Sequence, residues 1–196
     1  MKSIYISIVL AFCTMPAFAN QNVGKFIKFQ TFELEKTELK EIISIVGKTK
    51  IHKEGDAGES YTGICYYYPK QNVTVFYESG EMGGSKTLLS YKFFSGQINK
   101  FPCATINDKG NEKFTISGLK IGQPLKHALS LLPKDPYSIQ GMSYTYWNKI
   151  PFTESDFIKT GAKRSDNPAW DEMVTIELYE NKGVVSGFGV HRVITW

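Results

Sequence analysis

Among the residues of this sequence able to do chemistry are the histidines His52, His127 and His191, two serines that follow Gly-x, and two close pairs of acids. The histidines fall in a connecting loop, a helix and a terminal strand. None stands at ligand spacing from another and no H-E-x-x-H occurs, so no metal site is expected. Ser60 and Ser143 lack the glycine two positions on that closes a nucleophile elbow, and they read as strand-edge residues. Glu154 with Asp156, and Asp171 with Glu172, have the spacing of acid–base pairs or calcium ligands. No EF-hand pattern accompanies them, and they read as solvated loop charges. Asn72 opens an N-V-T glycosylation acceptor. Gly187-Phe188-Gly189 lacks the rest of a phosphate-binding loop, and its glycines fit a place where twist is relieved or another chain comes close. No catalytic residue and no cofactor is assigned.

Recognition is the chemistry that remains. Tyr66, Tyr67 and Tyr68 run together, and Tyr144, Tyr146 and Trp147 crowd a second strand. Tyrosine and tryptophan are enriched among interface hot spots because a rigid ring carries a polar tip. Neighbours on a strand alternate faces, so one member of each group must leave the covered side. Tyr61, Phe76, Tyr144, Tyr146 and Tyr179 are expected on an open, partner-binding face. The long segment 151–172 is expected as an inserted loop that also touches the partner, through Phe152, Trp170 and the positive tip Lys163-Arg164.

The elements that position these residues look duplicated. Leu39, Ile42, Ile43 and Val46 carry helical spacing, as do Leu125, Ala128, Leu129 and Leu132. Thr37 and Gly47 are suited to cap and end the first helix, Pro124 and Pro133 to open and stop the second. Each helix is expected to run about three turns. After each comes a Ser-Tyr-Thr strand, at Ser60-Tyr61-Thr62 and Ser143-Tyr144-Thr145. Then Val73-Thr74-Val75 answers Val174-Thr175-Ile176. The acidic turns "ESGEMGGS" and "ENKG" follow, and then a last strand. Val73, Val75, Tyr77, Val174, Ile176 and Leu178 form the expected helix-facing set. A hairpin around Asp108-Lys109-Gly110 is expected to join the copies. The predicted fold class is α+β: two tandem repeats, each a helix plus a three-stranded antiparallel meander, with the helices on one face. The first repeat spans residues 20–100 and the second 101–196.

Residues 1–19 read as a cleaved signal peptide: a lysine, an apolar run from Ile4 to Met15, and the small-x-small site Ala17-Phe18-Ala19. The bulky ring of Phe12 ahead of Cys13 argues against a lipid anchor. No other stretch approaches the ~20 apolar residues of a membrane span, so no membrane insertion is expected after cleavage. The formal charge of +4 is interspersed with acids, which excludes the clustered basic face of a nucleic-acid binder. Cys65 and Cys103 make an even pair in an exported chain, and a disulfide is the expected outcome.

The stretches "GLKIGQPLKHALSLLPKDP", "YTYW" and "MVTIELYENKGVVSGF", with a weaker echo over residues 32–94, resemble the β-lactamase-inhibitor-protein-like fold. Single-repeat relatives of that fold are the SmpA/OmlA envelope lipoproteins. The resemblance implies a tandem helix–meander fold. Two departures stand beside it: no lipid-anchor signal, and a cysteine pair that joins the first repeat to the connector. The expected function is a non-catalytic, periplasmic or secreted protein that binds another protein, an inhibitor or immunity protein against an enzyme or toxin. The alternatives are an envelope assembly or scaffold component and a small-ligand binder or hydrolase.

Overall fold

The computed structural model describes residues 22–55, 60–98, 102–107 and 113–195. The expected leader, the repeat junction at 100/101 and the turn at residues 108–110 lie outside them. Two strands, β1 (Lys28–Phe29) and β2 (Phe32–Glu33), make a first small hairpin, followed by α1 (Leu39–Val46). Then come β3 (His52–Glu54), β4 (Tyr61–Tyr68), β5 (Val73–Gly80), β6 (Ser90–Ser95) and β7 (Ala104–Thr105). A second hairpin, β8 (Thr115–Ile116) with β9 (Leu119–Lys120), leads into α2 (Leu125–Leu131). The chain ends with β10 (Ser138–Gln140), β11 (Ser143–Pro151), α3 (Glu154–Thr160), β12 (Ala169–Asn181) and β13 (Val184–Thr195).

The fold is mostly β. Nine strands share one sheet in the order β10-β11-β12-β13-β6-β5-β4-β3, antiparallel throughout, with β7 added to β4 as a parallel partner. This overturns the tandem α+β prediction. The strands expected to close separate meanders instead pair with each other, Gly187–His191 of β13 against Ser90–Phe94 of β6, so the hydrogen-bond ladder is continuous. The helices are shorter than expected: α1 has eight residues and α2 seven, about two turns each, too little to roof nine strands. Residues 22–37 and the β8–β9 hairpin complete the cover. That hairpin turns at Ser117-Gly118, both at positive φ. The two Ser-Tyr-Thr strands also run out of phase. Tyr61 lies opposite Gly80 on the open face, whereas Tyr144 lies opposite Ile176 on the core face. Similar words thus point opposite ways.

The core lies between the cover and one face of the sheet. Phe26, Phe29, Phe32 and Leu34, then Leu39 and Ile42 of α1, Ile116 and Leu119, and Ala128 of α2 meet Val75, Tyr77, Tyr91, Phe93, Ile176 and Phe188. The expected helix-facing set is found here. Thr37 does not cap α1; its hydroxyl accepts from the Glu33 amide at 2.9 Å. Two of the large polar side chains that enter the core, Tyr91 and Arg192, are bonded there. Tyr91 donates its hydroxyl to the Phe26 carbonyl. Arg192 and Glu172, only 8% and 10% exposed along their side chains, pair at 2.8 Å. A second guanidinium nitrogen of Arg192 reaches the Leu34 carbonyl at 3.2 Å, and Asn148 donates to Glu172 at 3.1 Å. One ion pair therefore ties β11, β12, β13 and the N-terminal cover together.

The cysteines form the expected disulfide, Cys65–Cys103, which holds the parallel strand β7 against the outer edge of β4. No helix among the described residues is long and apolar enough to cross a membrane.

Candidate functional site

Alternation along the strands sends every second side chain to the face away from the core. On β5 these are Phe76 and Glu78, on β6 Ser90, Lys92 and Phe94, on β12 Glu177 and Tyr179, and on β13 His191. Together with Tyr61 of β4 they line a cavity of about 620 Å³ on the open face of the sheet. Two glycines shape it. A Cβ at Gly187 would stand 2.8 Å from Phe94 Cδ1, and one at Gly189 would stand 2.9 Å from Lys92 Cγ. Real Cβ atoms do not approach so closely, so the glycines let Phe94 and Lys92 lie across β13. The close approach expected of these glycines is made by side chains of this chain.

The walls are aromatic. Phe76 meets Phe94 edge-on at 5.9 Å between centroids, and Phe94 tilts against Tyr179 at 4.9 Å. The polar groups are mostly paired. Lys92 Nζ lies 2.9 Å from Glu78 Oε2. Tyr179 donates its phenol to Glu177 Oε2 at 2.6 Å, and Tyr61 donates to Glu54 at the same distance. Both phenols are held above the usual tyrosine range, first by burial and then by those bonds to carboxylates. His191 is held below the usual histidine range, by desolvation first and by the neighbouring Lys92 second; Glu78 and Glu177 pull the other way. His191 is an exposed residue of the concave wall. Ser79 and Ser90 are buried at the lining, and neither hydroxyl has a hydrogen-bond partner.

Of the residues expected to bind a partner, the cavity gathers Tyr61, Phe76 and Tyr179. Tyr144 and Tyr146 are corrected. Tyr146 is 0% exposed on the core face, donates to the Pro133 carbonyl at 3.0 Å, and its phenol is pushed up to about 12 by burial. Tyr144 packs half-buried against the same core. The member of that group on the open face is Trp147, whose indole N–H donates to Asp171 at 3.1 Å. Phe152 and Trp170 form a separate cluster, 4.9 Å apart, with Phe157 of α3 at 5.7 Å from Phe152. The expected loop is thus an ordered helical excursion. Arg164 is bonded to Glu154 and lies over the Phe157 ring, while Lys163 stands exposed beside it.

Sequence reasoning missed Phe94, Lys92, Glu78 and the buried serines. The signal was there in "SYKFF", where Ser90, Lys92 and Phe94 share one parity. Glu78 was read as part of a turn, but β5 runs on to Gly80 and the turn begins after it. The carboxylates that share the cavity with His191 are Glu78 and Glu177. Among the described residues no group of three or more His, Cys, Asp or Glu is placed to hold a metal ion. Comparison with protein-family models, with curated proteins and with solved structures finds no match to this chain.

Proposed function

We propose that this is an exported, non-catalytic binding protein that grips another protein across the open face of its sheet, as an inhibitor or immunity protein grips an enzyme. One observation carries the reading. The cover of residues 22–37, α1, the β8–β9 hairpin and α2 all packs on one side, while the other side presents a concave wall of rings and charges. Concavity, aromatic anchors and a few fixed polar groups are the anatomy of a recognition site. The disulfide supports an oxidising compartment, periplasmic or extracellular. The similarity of its sequence patterns to the β-lactamase-inhibitor-protein-like group suggests an exported enzyme as the partner.

Affinity capture from periplasmic extract and from co-expressed secreted hydrolases tests it. The baits are the tagged chain, the double variant Phe94→Ala/Tyr179→Ala, and Ile45→Ala, an exposed residue of α1 on the covered side. One protein held by wild type and by Ile45→Ala, and lost from the double variant, is the expected result. Equal recovery by all baits, or by none, ends the proposal.

The meeting of His191 with Glu78 and Glu177 favours one other reading, a hydrolase or small-ligand binder that works inside the cavity. A serine hydrolase needs its nucleophile within hydrogen-bond reach of its base. Ser90 stands directly across the ladder from His191, yet its hydroxyl is buried and unbonded. His191→Ala tests that reading: it abolishes turnover of an ester or peptide panel if the cavity is catalytic, and no turnover by the wild-type chain removes the reading.

A further inference from the structure

We propose that the cavity receives an arginine side chain of the bound protein, its guanidinium stacked on Phe94 and Tyr179 and bonded to the carboxylate of Glu177. This rests on the protein-binding reading above and names the chemistry of the contact. Charge carries it first. Glu78 is matched by Lys92 at 2.9 Å, whereas Glu177 accepts only the neutral Tyr179 phenol through Oε2. Among the described residues no lysine or arginine pairs with Glu177, and its Oε1 accepts nothing. The cavity therefore holds one carboxylate in excess of its ammonium group.

The walls carry it second. A ring face attracts a cation, and more strongly when water is excluded. Phe76, Phe94 and Tyr179 form a continuous run of such faces around Glu177. A planar guanidinium matches both demands, stacking flat on a ring and forking to a carboxylate, which an ammonium does less well. An anion finds no partner here, because Lys92 is already neutralised and the His191 imidazole is disfavoured as a cation.

The test is titration of residues 20–196 with Nα-acetyl-arginine methylamide, its lysine counterpart and the neutral isostere Nα-acetyl-citrulline methylamide, read by aromatic and imidazole NMR shifts. The arginine probe is expected to give saturable shifts at Phe94, Tyr179 and His191, at least about tenfold tighter than citrulline and tighter than lysine. Glu177→Gln is expected to erase the preference over citrulline. Phe94→Leu, which keeps apolar bulk without a ring, is expected to weaken arginine. Equal response to arginine and citrulline, or shifts away from the cavity, overturns the inference. So does a captured partner that puts a neutral or acidic side chain there, and in that case the binding reading survives. Arginine binding with no protein partner from the capture experiment removes the binding reading and leaves the pocket chemistry standing.

Discussion

Adjacent residues on two strands meet opposite fates. On β6, Phe93 is 0% exposed in the core, stacked on Phe188 at 4.8 Å, while Phe94 faces the cavity. On β13, Arg192 is sealed against Glu172 while His191 lines the open wall. Residue type does not separate the faces, since each carries rings and an ion pair. The core pair is closed by the Leu34 carbonyl and the Asn148 amide under the N-terminal cover. The open pair, Lys92–Glu78, keeps 29% and 21% of its side-chain surface in water. A covered face converts such groups into stability, and an uncovered one keeps them available to a partner.

Paired substitutions test that division. Phe93→Ala should cost about 3–5 kcal/mol in urea unfolding, the range for a fully packed ring, whereas Phe94→Ala should cost about 1 kcal/mol. Equal costs would mean that the open face is also core. Arg192→Met leaves Glu172 buried without its cation and should cost about 3–5 kcal/mol, while His191→Gln should stay within about 0.5 kcal/mol of wild type. Cys65→Ser with Cys103→Ser should lower stability by about 4 kcal/mol on loop entropy, given a separation of 38 residues. Because Cys65 lies opposite Phe76 at the cavity wall, partner affinity should fall with it even where the chain stays folded.

The smallest effect is with pH. The folded chain holds His191 below the ordinary value of 6.5, so below that value the unfolded chain takes up a proton first. The contribution of this group is complete above about pH 6.5 and is lost as pH falls through the lowered folded value. Unfolding midpoints between pH 7.5 and 5.5 should therefore fall slightly more for wild type than for His191→Gln. The opposite slope would place the imidazole in a site that favours its cation.

Strand alternation made much of the open face legible. It separated Phe76 and Tyr179 from Val75, Ile176 and Leu178, because β5 and β12 keep strict period two until the irregularity at Tyr179/Glu180. It failed for Tyr144 and Tyr146, where a repeated Ser-Tyr-Thr phrase suggested equal phase with Tyr61. Phase is set by what lies across the ladder, Ile176 for Tyr144 and Gly80 for Tyr61, and a local motif does not encode that. The cavity was hidden for a related reason. Its five strands come from residues 61 to 191, and the β6–β13 pairing that joins them is a non-local contact between strands read as ends of separate repeats. The helical excursion at 154–160 was masked by polar composition, although Thr153 and Asp156, whose carboxylate accepts from the Thr153 amide at 2.7 Å, stand at its start.

The most direct test is photocrosslinking in the cell from the two sides of the sheet. Phe94→p-benzoylphenylalanine probes the cavity, and Ile45→p-benzoylphenylalanine probes the covered side from exposed α1. A single protein adduct from position 94, absent from position 45, is the outcome required if the concave wall meets a partner. Adducts from position 45 alone, or no adduct from position 94, would contradict it.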